Sequence, residues 1–353
     1  MAKLRTTSKS VVGLDIEPGY VAAAQVSVNG AIAVERAATA PLPAEVMRDG
    51  EVADADALAA TLKELWSAHK LPRRVRLGVA NQRIVVRTID LPPLSDAKDL
   101  AAALRFQAQE HIPMPLEQAV LDYHSLGRVQ TPEGERTRVV LVAARRDMVD
   151  RLLAAARGAG LRPEGIDLSA FAMIRALDSG TFDEAEGGLL YVNVAGMTNL
   201  AIARSTTCLF TRAAQGGTEA MVAQLAERRG LTLDHSRQWL AHVGLTTPLD
   251  QIEGEPEIVS EARSVLADGA RRVADEVRNS LDFYGAQDGA ILVSRAVLTG
   301  PAVGIAGFCE QLSADVGLPV EPRVVREATP GALDGIDAGL VTVAAGLAAR
   351  ERP

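Results

Sequence analysis

The sequence predicts a two-lobed α/β protein in which each lobe opens with a three-strand meander. Three observations lead there. The chain has 353 residues, more than one compact core of about 100–200 residues takes. Hydrophobic residues make up 48% and charged residues 23%, a balance that excludes a disordered or fibrous chain. A strand–turn–strand–turn–strand pattern also occurs twice, far apart in the sequence.

The first copy starts with the apolar run Val11–Leu14, stopped by the turn signal Asp15-Ile16-Glu17-Pro18-Gly19. Tyr20–Val28 and Ala31–Val34 follow, on either side of Asn29-Gly30. Asn-Gly between apolar runs marks a tight hairpin, because both central residues of that turn need positive φ. In Asp54–His69, Ala57, Leu58, Leu62, Leu65 and Trp66 form a helical stripe, and Arg76–Ala80 reads as a strand. The second copy runs Leu189–Val192, then Asn193-Val194-Ala195-Gly196, then Leu200–Ala203 and Cys208–Thr211. Laid over the first copy at one offset, Asp15 falls on Asn193, Glu17 on Ala195 and Val26 on Arg204.

Between the copies, Ile84–Leu91 is strand-like and ends at Pro92-Pro93. A helix beginning near Ser95, Lys98 and Asp99 runs through Leu100, Leu104, Phe106 and Ala108 to the breaker Ile112-Pro113-Met114-Pro115. Leu121–Leu126 and Val139–Ala143 read as strands flanking a Pro132-Glu133-Gly134-Glu135 turn, and Asp147–Ala159 as a helix. That is enough for a small inserted subdomain. After the second meander come Gly216-Gly217-Thr218, a helix to Arg229, and further helices at Asp234–Val243 and Glu257–Tyr284. A buried strand at Ile291–Thr299 ends at Gly300, and Gly304–Val316 is a helix. Val320 begins a short strand, and Gly335–Arg350 is a terminal helix.

Charge and cysteine content narrow the function classes. The net charge is −8 with 3% aromatic residues, which lacks the basic footprint and stacking residues of a nucleic-acid binder. Cys208 and Cys309 form neither a disulfide framework nor a zinc spacing, which favours a reducing compartment. MAKLRTTSKS has no apolar stretch and reads as a polar tail, not a signal peptide. Ala338–Ala349 is too short to span a bilayer. The expectation is a cytosolic protein without direct membrane insertion, reaching a membrane only through a partner.

Several motifs carry a family resemblance. The most specific is Phe106-Gln107-Ala108-Gln109-Glu110-His111-Ile112-Pro113-Met114-Pro115 followed by Leu121-Asp122-Tyr123. Others are Leu209-Phe210-Thr211-Arg212 with Gly216-Gly217, then Glu276-Val277-Arg278-Asn279-Ser280-Leu281-Asp282-Phe283-Tyr284, Leu298-Thr299-Gly300, and Ala345-Gly346-Leu347-Ala348. Together these residues resemble the PilM family of type IV pilus assembly, actin-like proteins related to FtsA, over roughly residues 11–350. The resemblance implies an actin-like (ribonuclease H-like) duplicated two-lobed fold with an FtsA-type inserted subdomain. The expected divisions are a disordered tail at 1–10, a first lobe from 11–84 and 166–187, and the inserted subdomain at 85–165. The second lobe would comprise 188–215 and 288–350, with a helical subdomain at 216–287 and a terminal helix able to pack on the first lobe. The resemblance also implies a partner, the cytoplasmic N-terminal tail of a PilN-like inner-membrane protein, with self-association open.

In actin-like ATPases the first turn of each lobe offers backbone N–H groups to phosphate, Gly permits close approach, and Asp orients Mg2+. On that pattern the positions for ATP are Asp15, Gly19, Asn193, Gly196, Gly216, Gly217 and Gly300, with Asp15 toward the metal. The departures weaken the site. Glu17 stands where Gly is expected, and a like charge beside phosphate costs several kcal/mol at an effective dielectric of ~20. Alternatively Glu17 points outward and Gly19 takes over. Asn193 replaces Asp and cannot balance a divalent cation, or it is simply a turn residue. Ser236-Arg237-Gln238-Trp239-Leu240 stands where an Ala-Glu-x-x-Lys helix would hold the ribose and base, with Trp239 and Leu240 read as packing. No confident catalytic residue emerges. Asp122 and Tyr123 read as strand residues, and His235 and His242 lack metal spacing.

These readings favour a scaffold that binds a PilN-like tail in a pilus or related secretion platform, with weak ATP and Mg2+ binding and no efficient catalysis. Candidate docking residues are Ile84, Val86, Ile89 and Leu91, with Ile112 and Met114, although subdomain core is the alternative for each. Competing functions are an active ATPase of this architecture and an actin-fold small-molecule kinase.

Overall fold

The computed structural model describes residues 10–93, 96–132, 134–180, 187–287 and 289–349. The expected tail at 1–10 therefore lies outside the described residues except for Ser10, as do Ser95, Glu133 and Arg350.

The first meander is β1 (Val12–Glu17), β2 (Tyr20–Asn29) and β3 (Ala31–Pro41). Its third strand is longer than the apolar run suggests, because β2 pairs with it along its whole length to Pro41. A short ribbon, β4 (Met47–Arg48) with β5 (Glu51–Val52), precedes α1 (Ala55–His69), whose first turn is capped by the Asp54 carboxylate accepting from the Asp56 and Ala57 amides. Next come β6 (Arg74–Val79), β7 (Val85–Leu91), α2 (Ala97–His111), β8 (Ala119–Thr131), β9 (Gly134–Arg145) and α3 (Arg146–Gly158). β10 (Arg162–Leu168) runs straight into α4 (Ser169–Leu177).

The second meander is β11 (Gly188–Val194), β12 (Thr198–Arg204) and β13 (Thr207–Ala214). After it come α5 (Thr218–Arg229), α6 (Leu233–Val243), α7 (Pro256–Gly285) and β14 (Val293–Thr299). The chain ends with α8 (Phe308–Val316), β15 (Val320–Pro322), β16 (Arg326–Glu327) and α9 (Ala338–Ala348).

The two lobes repeat one sheet. The first has the order β10-β6-β1-β2-β3-β16 and the second β13-β12-β11-β14-β15. In each, a meander continues into parallel strands: β1 with β6 and β6 with β10, then β11 with β14 and β14 with β15. β7, β9 and β8 form a separate three-stranded sheet whose apolar face packs on α2 through Ile89, Leu91, Leu104, Ala108, Ile112 and Leu141.

Several further helix and strand limits differ from the sequence reading. Gly304–Val316 is not one helix: a 3-10 turn at Pro301–Gly304 is followed by Gly307 at φ 82, and α8 begins at Phe308. The last helix starts at Ala338 and not at Gly335, because Gly335 lies at φ 72 and Asp337 caps the helix through the Gly339 amide. β14 starts at Val293, leaving Leu292 79% exposed.

α9 is the element that joins the lobes' cores. It lies on β1, β2 and α4, with apolar residues facing both lobes. A Cβ on Gly13 would fall 1.8 Å from the Ala344 carbonyl, and one on Gly346 would fall 1.9 Å from the Ala172 carbonyl. The small residues of Ala345-Gly346-Leu347-Ala348 thus permit backbone-to-backbone packing. No helix of the described residues is long and apolar enough to cross a membrane.

Candidate functional site

The β1–β2 and β11–β12 turns of the two lobes meet head to head. Pro18 of the first turn lies against Gly196 of the second, where a Cβ would come 2.4 Å from the Pro18 carbonyl oxygen. Glu17 is 3% exposed, and its Oε2 accepts the Met197 amide N–H at 3.0 Å. The alternative that Glu17 points outward is therefore corrected. Its carboxyl spans the lobes and uses a backbone donor of the opposite turn. Burial, and secondarily the neighbouring Asp15, holds it well above the usual carboxylate range.

Asp15 sits deeper, 2% exposed, with Oδ1 accepting from the Ser169 hydroxyl at 3.3 Å and Oδ2 without a partner among the described residues. Burial pushes its pKa up to about 7, against a smaller lowering by the Ser169 hydrogen bond. Among the described residues no three His, Cys, Asp or Glu side chains form a group able to hold a metal, so Asp15 has no set of co-ligands.

Gly19, at φ 93, faces the carboxylate of Glu219 on α5, which would stand 2.6 Å from its Cβ. That carboxylate is clamped by Arg237 of α6 through Nε to Oε1 at 2.9 Å and Nη2 to Oε2 at 2.6 Å. Glu219 escaped the sequence reading, since nothing in the spacing of α5 and α6 announces that the two helices share an ion pair. Leu240 is 2% exposed in the second lobe's core, and Trp239 packs edge-on to His242, in agreement with their reading as packing residues.

Asn193 is 1% exposed with Oδ1 unpartnered, and it lies beside Gly300, where a Cβ would be 2.5 Å from that oxygen. Gly217 is the extended N-cap of α5 against the Ala195 carbonyl. Gly216, at φ 86, has open space at its Cβ position, and its carbonyl accepts from Thr198 Oγ1 at 2.6 Å. Beyond these turns opens a cavity of about 520 Å³, lined by Tyr20, Glu219, Asp234, Arg237, Leu240 and Asp337 among others.

The six candidate docking residues separate into two groups. Ile89, Leu91 and Ile112 are 8%, 0% and 5% exposed in the inserted subdomain's core, and Met114 packs partly buried against it. Ile89, Leu91 and Ile112 thus lie in the subdomain core that holds the three-stranded sheet on α2, and Met114 sits at its edge. Val86 has the opposite parity on β7 and is half-buried outside that core. Ile84, in the β6–β7 connection, lines a second cavity of about 290 Å³ with Val79, Leu168, Asn199 and Arg212. β7 is an outer strand, paired among the described residues with β9 alone, and it runs close to β13.

The family model for the type IV pilus assembly protein PilM matches residues 13–350. The chain belongs to the PilM family. Among solved structures, a PilM-PilN type IV pilus biogenesis complex is 26% identical, with a TM-score of 0.76, over 96% of this chain and 97% of that one. The ethanolamine utilization protein EutJ from Carboxydothermus hydrogenoformans is 14% identical, with a TM-score of 0.54 over 96% of this chain and 88% of its own. MreB 5 of Spiroplasma citri, solved with AMPPNP, is 14% identical, with a TM-score of 0.52 over 96% and 95%. The latter two show a shared fold, and with the PilM match they identify the architecture as actin-like.

Proposed function

We propose that this PilM-family chain is a cytoplasmic scaffold of a type IV pilus assembly platform. In this role it holds the cytoplasmic N-terminal tail of a PilN-like inner-membrane protein and turns over little or no ATP. The observation that carries the reading is the likeness, over nearly the whole of both chains, to a PilM-PilN complex. β7 is the outer strand of its sheet, with Ile84 and Val86 at hand, so it offers what recognition of an extended peptide uses: a sheet edge and apolar side chains.

The fold family implies Mg-ATP, and the residues of the two turns do not fit its phosphates. Met197 N–H is already taken by Glu17 and the open face of Gly19 is covered by Glu219, while Pro18 closes on Gly196. Asp15 is buried and already accepts from the Ser169 hydroxyl, and among the described residues no group of acidic or His side chains joins it to hold magnesium. The cavity beyond carries Glu219, Asp234 and Asp337 against Arg237, so its own charge opposes a triphosphate. On this reading the lobes are closed by the chain's own carboxylates.

Calorimetric titration of the chain with the PilN-like tail tests the proposal, together with Ile84→Asp and Val86→Asp. Micromolar binding that weakens at least tenfold in both variants is expected. A tail that does not bind the wild-type chain refutes the proposal, as does phosphate release from Mg-ATP at an enzymatic rate.

A further inference from the structure

The 290 Å³ cavity beside Ile84 has a feature that the tail-binding reading does not use. Its floor is formed by the second lobe: Asn199 of β12, with Thr211, Arg212 and Ala213 of β13, faces Val79–Asn81 and Leu168 of the first lobe. Asn199 is 2% exposed, and its Nδ2 finds no acceptor among the described residues. A buried amide donor left unpaired is unfavourable, so an unpaired donor facing a cavity marks the place of an acceptor supplied from outside.

The surrounding chemistry selects the kind of acceptor. Arg212 is paired with Glu276 at 3.3 Å, and Asn81 is engaged by Met148 Sδ and the Arg83 amide. Arg212, the cation among the described lining residues, is half-exposed and balanced by Glu276, so the cavity offers little net charge and suits a neutral carbonyl better than a phosphate or a carboxylate. The volume lies at the lower edge of small-molecule sites, roughly 300–1,000 Å³. Its aliphatic side, Val79, Ile84 and Leu168, adjoins the outer strand β7. A short stretch of extended peptide meets all of these requirements.

The geometry points to Asn199 Nδ2 as the donor to a main-chain carbonyl of the docked tail, so that the tail touches the second lobe as well as the first. This rests on the tail-binding reading above and adds a specific donor on the opposite lobe. Occupancy then bridges the lobes through a cavity that shares no lining residue with the one beside Glu219.

Asn199→Leu keeps the side chain's size and removes the unpaired donor. Titrating it with a synthetic peptide of the PilN-like tail should show at least tenfold weaker binding with no loss of thermal stability. Unchanged affinity in a folded variant overturns the assignment. Hydrogen exchange on the wild-type chain gives a second readout that does not depend on the variant folding. The tail should protect amides at 199 and 211–213 in addition to those of β7. Protection confined to β7 sinks the role of Asn199 and leaves tail binding standing, whereas no binding at all sinks the proposed function itself.

Discussion

Replacing Asp15 by Asn is expected to stabilise the chain at neutral pH, where the same change in a magnesium-dependent ATPase would remove a ligand. Asp15 has a folded-state pKa of about 7 against an ordinary value of 3.8. Below about pH 4 it is protonated in both folded and unfolded chains and contributes nothing to the pH dependence. Between the two values the unfolded chain ionises while the folded chain keeps its proton, so stability falls as pH rises. About three pH units at 1.36 kcal/mol each gives a loss of up to roughly 4 kcal/mol, fully developed above pH 7. Asn keeps an oxygen for the Ser169 hydroxyl and replaces the unpartnered Oδ2 with an amide, which shifts stability by a constant at every pH. The slope is therefore the readout. Urea denaturation of both proteins from pH 4.5 to pH 8 should show the difference, Asn variant minus wild type, growing with pH by about 2–4 kcal/mol. A difference independent of pH, or one that shrinks as pH rises, refutes a buried, proton-retaining Asp15.

Two further perturbations address the contact between the lobes. Gly196→Ala places a Cβ 2.4 Å from the Pro18 carbonyl, so the turns must separate; a loss of about 1–3 kcal/mol in urea unfolding is expected, and a neutral result would mean that the turns do not touch. Glu17→Ala leaves the Met197 amide without its acceptor, whereas Glu17→Gln retains a carbonyl oxygen there. Exchange of the Met197 amide should quicken about five- to tenfold in the Ala variant, the equivalent of about 1 kcal/mol, and change little in the Gln variant. Equal exchange in both variants would leave the strut without support.

What was legible in the sequence was local. The Asn29-Gly30 hairpin and the repeated meanders announce themselves through turn chemistry, because each signal lies within a few residues of its effect. β10 was hidden by Pro163 and Gly165, which an outer strand tolerates and which coincide with an irregularity in its pairing with β6. The long β8–β9 hairpin shows in the sequence only as two short apolar strands, since its outer half carries exposed charged and polar residues in place of an apolar run. Asp15 and Asn193 stand out in the sequence by their matching places at the end of each lobe's first strand. The partners that define their surroundings do not. Glu17 meets Met197 across 180 positions of sequence, and Glu219 finds Arg237 only once α5 and α6 pack together. Parity along β7 separates Ile89 and Leu91 from Val86, but only the position of α2 shows which side is core.

The central claim is that this PilM-family chain holds its partner with lobes already closed by Glu17 and Glu219. Its most direct test is titration of the PilN-like tail in the presence and absence of saturating Mg-ATP. The account predicts the same dissociation constant, within about twofold, in both conditions. Tail binding that appears only with Mg-ATP, or that tightens tenfold with it, would contradict the account.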